Sequence, residues 1–272
     1  MLDYGRVDVD VSNATSFDDF DEKYFYPGDD LGANYRKTET EFVLWAPLAS
    51  QVVVKYIFNE QTLCQPMIRE DKGIYRAIVQ GNLDGVVYNY LVTNSGFSQE
   101  VIDPYGKGST QNAKHSVVIN PKKLKHDLAE EILPLFEKDT DAIIYETSVR
   151  DMTSDLSTSI KHKGKYLGLT EKGEKTRKGQ PVGIDYIRSL GVTHVQLMPI
   201  YDFATINEFD PKSTYNWGYD PVQYFVPEGS YASELSDPYS RIVDLKALVR
   251  SFHQAGIRVN MDVVFNHVYQ YE

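Results

Sequence analysis

The chain has 272 residues, enough for one large domain or two ordinary ones, and its 42% hydrophobic content supports a packed core and excludes global disorder. A formal net charge of −11 repels phosphate backbones and makes nucleic acid a poor partner. Cys64 stands alone, so no internal disulfide can form, and no apolar run reaches the length of a membrane helix.

The opening Met1-Leu2-Asp3-Tyr4 lacks the basic and apolar regions of a signal peptide, so a cytoplasmic location without a membrane partner is expected. Residues 1–30 hold nine acids against Arg6 and Lys23 and supply −7 of the net charge, which reads as a solvated acidic segment. From 31 to 120 the pattern is short strands and turns. Glu41–Ala46, Gln51–Phe58, Gly73–Val79, Val86–Thr93 and His115–Ile119 are rich in Val, Ile, Tyr and Phe, with Gly, Asn, Asp and Pro between them. Such spacing predicts an antiparallel sandwich. Trp45, at a strand end, reads as a core residue in preference to a sugar platform. Residues 121–141 form a charged linker, with Leu128, Ile132 and Leu135 at rough helical spacing.

After Asp141 the rhythm changes to strand, helix, strand, helix, strand, the signature of a parallel α/β sheet. The strands are Ala142–Tyr145, Val192–Pro199 and Ile257–Phe265. The helices are Pro181–Leu190, with Ile184, Ile187 and Leu190 on one face, and Tyr239–Ala255, with Ile242, Leu245, Val249 and Phe252 in register. Gly191 and Gly256 are their stops. No P-loop, dinucleotide fingerprint or zinc spacing is present.

Chemistry in such folds gathers at the carboxyl ends of the strands. After the first strand, Arg150 and Asp151 read as a structural ion pair. Past the second strand stands Tyr215-Asn216-Trp217-Gly218-Tyr219-Asp220-Pro221. Three aromatics broken by Gly and closed by Asp-Pro form a loop and no regular helix. The rings suit the apolar faces of pyranose sugars, and they equally suit a small satellite core. The 20 tyrosines offer the same choice, since a flat face with a hydroxyl tip fits sugars and half-buried sheet positions alike. Following the third strand come Asp262, Asn266 and His267. A carboxylate, an amide and an imidazole there can hold sugar hydroxyls, or can satisfy turns. Strand alternation places Asp262 with Val264 on one face and Val263 with Phe265 on the other.

Read together, these motifs resemble the α-amylase superfamily and, within it, the type I pullulanases. Leu31-Gly32-Ala33, Phe42–Pro47 and Asp103-Pro104-Tyr105-Gly106 resemble the carbohydrate-binding-module-like sandwich that precedes the barrel in debranching enzymes. Ile144–Asp151, Gly191–Pro199 and Asp262–His267 resemble the first three strands of a (β/α)8 barrel, and Tyr215–Pro221 resembles the motif that marks type I pullulanases. The resemblance implies retaining hydrolysis of α-1,6 branch links in pullulan, starch or glycogen dextrins. It implies that Tyr219 stacks on the sugar before the scissile bond, Asp220 shapes that subsite with Asn216 and Trp217 beside it, and His267 hydrogen-bonds the sugar's hydroxyls. Asp262 is implied to orient a later arginine. Asn266 resembles a calcium ligand of α-amylases, but no metal or other cofactor is assigned and the sequence gives no support for Ca2+. Ser148 stands where many relatives carry His. Isoamylase-type or glycogen-branching-type action, or glucan binding without catalysis, are the alternatives.

In the superfamily the nucleophile and acid/base follow the fourth and fifth barrel strands, and a third acid follows the seventh. Here the last residue is Glu272, just past the third strand, so the nucleophile and acid/base are expected beyond Glu272. Asp202, Glu208, Asp220 and Asp262 lie in neither motif, and no catalytic residue is assigned. Residues 142–272 number 131, against about 250 for a closed eight-stranded barrel. The expectation is an incomplete barrel, inactive alone, from a deletion, a split gene or an incomplete record.

Overall fold

The computed structural model describes residues 15, 19–124 and 133–269. Among these, the residues up to Lys107 together with His115–Asn120 form one compact unit; Gly108–Lys114 and the residues from Pro121 onward form a second.

The first unit is a β-sandwich, as its strand spacing predicts. One sheet has the order β1 (Gly32–Tyr35), β2 (Glu39–Trp45), β6 (Ile74–Gln80), β5 (Ile68–Arg69). The other runs β4 (Gln61–Pro66), β3 (Gln51–Phe58), β7 (Val87–Asn94), β8 (Phe97–Val101), with β9 (Ser116–Val117) also paired to β7. All pairings are antiparallel. In β3 the residues Val52, Val54 and Tyr56 point inward and alternate with more exposed ones, the period-2 pattern that buries one face. They meet Phe42, Leu44, Tyr75, Tyr88 and Tyr90 in one core. The edge strands β4 and β8 are mostly exposed and polar, so no alternation in the sequence announces them.

Tyrosine fills much of this core. Tyr88 and Tyr90 pack edge to face with ring centres 5.7 Å apart, and both hydroxyls donate to the buried Asp103 Oδ2, at 2.6 and 3.3 Å. Burial pushes the Asp103 carboxyl up to about 6. Trp45 is partly buried. Its indole N–H donates to the carbonyls of Tyr24 and Lys72, and its ring meets Phe20 of the short helix α1 (Phe20–Tyr24). It is a packing residue.

In the second unit, β10 (Ile144–Thr147), β11 (His194–Leu197) and β14 (Arg258–Met261) form a parallel sheet in that order. Tyr145, Val195 and Val259 lie side by side and pack into a core with Ile184 and Ile187 of α3 (Gly183–Ser189) and Leu248 and Phe252 of α4 (Ser240–Gln254). The opposite face carries the row Glu146, Gln196, Asn260, in which Gln196 donates to Glu146 at 2.8 Å. Leu190 is exposed at the end of α3. The amino-terminal half of α4 buries Arg241 and Asp244, while the expected Ile242 is only half-buried. The third strand also ends at Met261, four residues before its expected limit, so strict alternation does not extend through Asp262–Phe265. The linker residues Leu128 and Ile132 lie outside the described residues, as does most of the acidic segment 1–30. Glu272, the position beyond which the nucleophile and acid/base are expected, lies outside them as well.

Candidate functional site

Between β11 and α4 the chain makes an antiparallel hairpin, β12 (Tyr201–Phe203) and β13 (Pro221–Pro227), joined by residues 204–220. Sequence periodicity gives only a loop here, because β12 has three residues and is buried throughout. Backbone closes the neck of the loop, with the Ala204 N–H donating to the Asp220 carbonyl at 3.0 Å. Asn216 fastens it further. Its amide N–H2 donates toward the Ala204 carbonyl, Thr205 Oγ1 and Asp220 Oδ1 at 2.7–2.8 Å, and its carbonyl accepts from the Gly218 N–H at 2.7 Å. Thr205 donates to the other Asp220 oxygen at 2.6 Å. Asn216 and Asp220 thus shape the loop. Gly218 has φ +91°, and a Cβ there would lie 2.9 Å from Phe203 and Pro199, so both conformation and space require glycine.

The expected Arg150–Asp151 pairing is replaced by two contacts to the loop. Arg150 donates to the Thr214 carbonyl at 2.7 Å and stacks over the Tyr215 ring at 5.2 Å, while Asp151 accepts from the Tyr215 hydroxyl at 2.6 Å. Both residues sit on α2 (Val149–Thr153), whose N-cap is Ser148, with its hydroxyl accepting from the Asp151 N–H. The serine caps the helix.

The segment after β14 returns alongside this hairpin. The Tyr219 hydroxyl donates to Asp262 Oδ2 at 2.7 Å, and burial together with that carboxylate raises the phenol well above its ordinary range. His267 Nε2 lies 2.9 Å from the Tyr219 carbonyl, which can only accept, so this nitrogen carries a proton. His267 Nδ1 pairs with the Asn266 amide at 2.9 Å. The Tyr224 hydroxyl reaches the carbonyls of Val264 and His267 at 2.5 and 2.7 Å, and its ring lies 5.4 Å from Tyr201 and 5.3 Å from Phe265. Tyr219, Asp262, Asn266 and His267 therefore converge at one mouth. Tyr215 and Trp217 stand outward, 53% and 61% exposed. Among the described residues no three His, Cys, Asp or Glu side chains converge to hold a metal ion.

Beneath the hairpin lies a cluster that the sequence does not assemble. Arg241 is buried and donates to Asp202 Oδ2 at 3.3 Å, to the Pro227 carbonyl at 3.2 Å and to both Glu208 oxygens at 3.3 and 3.1 Å. Glu228 accepts from the N–H groups of Phe203 and Ser230 at 3.2 and 2.7 Å. The sequence presents Asp202 and Glu208 only as isolated acids, and no pattern in it marks Arg241, which stands beside Ile242 and Val243 at the start of α4.

Burial raises all three carboxyls, with Glu228 brought to about 7. Around it stand Arg241 of α4, Lys165 and Tyr166 of the turn between α2 and α3, Asp202, Glu208 and Tyr231. A carboxyl raised on folding binds its proton more tightly in the native state. Its stabilising effect is complete below the unfolded value near 4.5 and is lost as pH rises through about 7. Denaturant titration should show stability falling between pH 5 and pH 8 by on the order of 2 kcal/mol. Glu228→Gln should flatten that slope, and an unchanged slope would contradict the assignment.

Comparison with known proteins agrees with this architecture. Residues 30–106 match the family of carbohydrate-binding module 48 (isoamylase N-terminal domain), and residues 156–271 match the α-amylase catalytic domain. The pullulanase of Bacillus subtilis (strain 168) is 40% identical over 268 residues, covering 98% of this chain and 37% of its own length. The crystal structure of the pullulanase from Anoxybacillus sp. LM18-11 in complex with maltotetraose superposes with a TM-score of 0.88 at 43% identity, over 93% of this chain and 37% of that one. That of the Paenibacillus barengoltzii pullulanase, with maltohexaose and α-cyclodextrin, gives 0.88 at 40% identity, over 98% and 43%. This chain thus spans well under half the length of these relatives. A carbohydrate-binding-module sandwich, followed by the opening strands of an α-amylase barrel with the aromatic loop in place, identifies the chain as a member of the type I pullulanase family of glycoside hydrolases.

Proposed function

We propose that this chain provides the glucan-seating portion of a pullulanase, whose reaction is hydrolysis of α-1,6 branch links in pullulan, starch or glycogen dextrins with retention. In this reading residues 31–120 are a glucan-binding sandwich, 121–141 a linker and 142–272 the first part of the barrel, with the nucleophile and acid/base on strands that follow Glu272. The ring of Tyr219 offers a stacking face, with Trp217 beside it and Asn216 and Asp220 fixing the loop. Asp262 holds the Tyr219 hydroxyl. His267 meets sugar hydroxyls by exchanging one of its two present partners. The observation that carries the reading is the pair of contacts from Tyr219 to Asp262 and His267, which joins the aromatic loop to the strand-end motif. Cytoplasmic residence belongs to the same proposal and accords with an exposed, unpaired Cys64.

The test is maltotriose titration followed by tryptophan emission in a Trp45→Phe background, where Trp217 is the sole tryptophan of the original two. A saturable change with maltotriose and none with cellotriose is expected. A flat response would reject the reading.

Glucan binding without catalysis by these 272 residues is favoured by a specific observation. Among the described residues the carboxyls raised by burial are Asp103, inside the sandwich core, and Asp202, Glu208 and Glu228 around Arg241, and each is almost completely buried, out of reach of a glycosidic oxygen.

A further inference from the structure

We infer that Arg241 is a positioning residue for the aromatic loop, fixing the body of the loop so that Trp217 and Tyr219 face the glucan. The consequence for binding rests on the function proposed above; the geometry does not. The neck of the loop is self-supporting, through the Ala204–Asp220 backbone bond and the Asn216 amide. Its middle closes only on itself, through the Asp210–Asn207 and Ser213–Asp210 backbone turns, and Arg150 and Asp151 hold its far limb at Thr214 and Tyr215, which leaves the near limb around Glu208 to be fixed from elsewhere. There the Glu208 carboxylate is gripped by Arg241, and the Glu208 N–H donates to Asn112 Oδ1 at 2.8 Å. The same guanidinium reaches Asp202 in β12 and the Pro227 carbonyl at the end of β13. One planar group therefore joins the loop body to both strands of its hairpin, and α4 carries that group.

Steric fit adds direction to the charge. Glu208 lies flush against Gly229, where a Cβ would come within 2.3 Å of its carboxylate. A buried ion pair is often no more stabilising than apolar residues of equal volume, so stability alone does not account for Arg here. What apolar packing cannot supply is the fixed fork that sets the direction of two carboxylates at once. Lysine, a point charge, keeps the sign and loses the fork.

The test uses the 272-residue chain in the Trp45→Phe background, with Arg241→Lys and, separately, Glu208→Gln. Far-UV circular dichroism establishes folding. Acrylamide quenching of Trp217 reads the loop without any sugar, and maltotriose titration reads the site. We expect at least a twofold change in the quenching constant and at least fivefold weaker binding for Arg241→Lys, with smaller changes in the same direction for Glu208→Gln. Folded variants whose quenching and affinity both match the parent would overturn the inference. If Arg241→Lys does not fold, Glu208→Gln decides by the same criteria. A parent that binds no maltotriose refutes the glucan reading, whereas the quenching comparison still decides the role of Arg241.

Discussion

Replacing Tyr219 by alanine is expected to weaken maltotriose binding by about 30-fold, the effect of truncating an aromatic anchor worth about 2 kcal/mol. The phenol has two functions, which separate by substitution. In the proposed function its ring is the sugar-facing surface, while its hydroxyl donates to Asp262 at 2.7 Å. Tyr219→Phe keeps the ring and strands the Asp262 oxygen without its donor. Hydrogen bonds to charged groups contribute about 1.5–3 kcal/mol, and partial exposure of both groups places this one at the low end. The phenylalanine variant should therefore melt earlier yet bind maltotriose within about threefold of wild type. Calorimetric titration and thermal melts of both variants separate the two contributions. Wild-type affinity in the alanine variant would remove Tyr219 from the site.

Pullulan incubated with the purified 272-residue chain is expected to release reducing ends no faster than the blank. Retaining glycosidases need two carboxyl groups about 5–5.5 Å apart, a nucleophile and a proton donor whose pKa has been raised. The candidates at the mouth are otherwise engaged. Both Asp220 oxygens are held by Asn216 and Thr205, and Asp262 holds Tyr219. Glu146 accepts from Gln196 on the sheet face. Loss of a nucleophile typically costs about 10⁶ in kcat, below detection in a reducing-sugar assay. Turnover above the blank that disappears in Asp262→Asn or Asp220→Asn would show that these acids had been misjudged.

The sandwich and the parallel sheet were legible because each buries one apolar face with its own period. Val52, Val54 and Tyr56 alternate in β3, and Ile184 and Ile187 recur at helical spacing in α3. Edge strands such as Gln61–Pro66, exposed along their length, carry no such pattern. The aromatic loop was legible from its breakers and rings. Its supports were not, since Asn216 acts through an amide network, and Arg150 and Asp151 turn from each other to the loop. Tyrosine content pointed to sugars with less force than its number suggested, because Tyr56, Tyr75, Tyr88, Tyr90, Tyr166, Tyr201 and Tyr231 are buried. Least legible was the charge cluster. Arg241, Asp202, Glu208 and Glu228 come from four separate stretches of chain, and only the fold brings them together.

Pyranose density in crystals of this chain grown with maltotriose bears most directly on whether the aromatic loop and the strand-end motif form one sugar seat. A glucose ring lying against the face of Tyr219, with a hydroxyl within hydrogen-bonding reach of His267, is the predicted result. Maltotriose found on the sandwich alone, with the mouth between Tyr219 and His267 bare at saturating sugar, would contradict it.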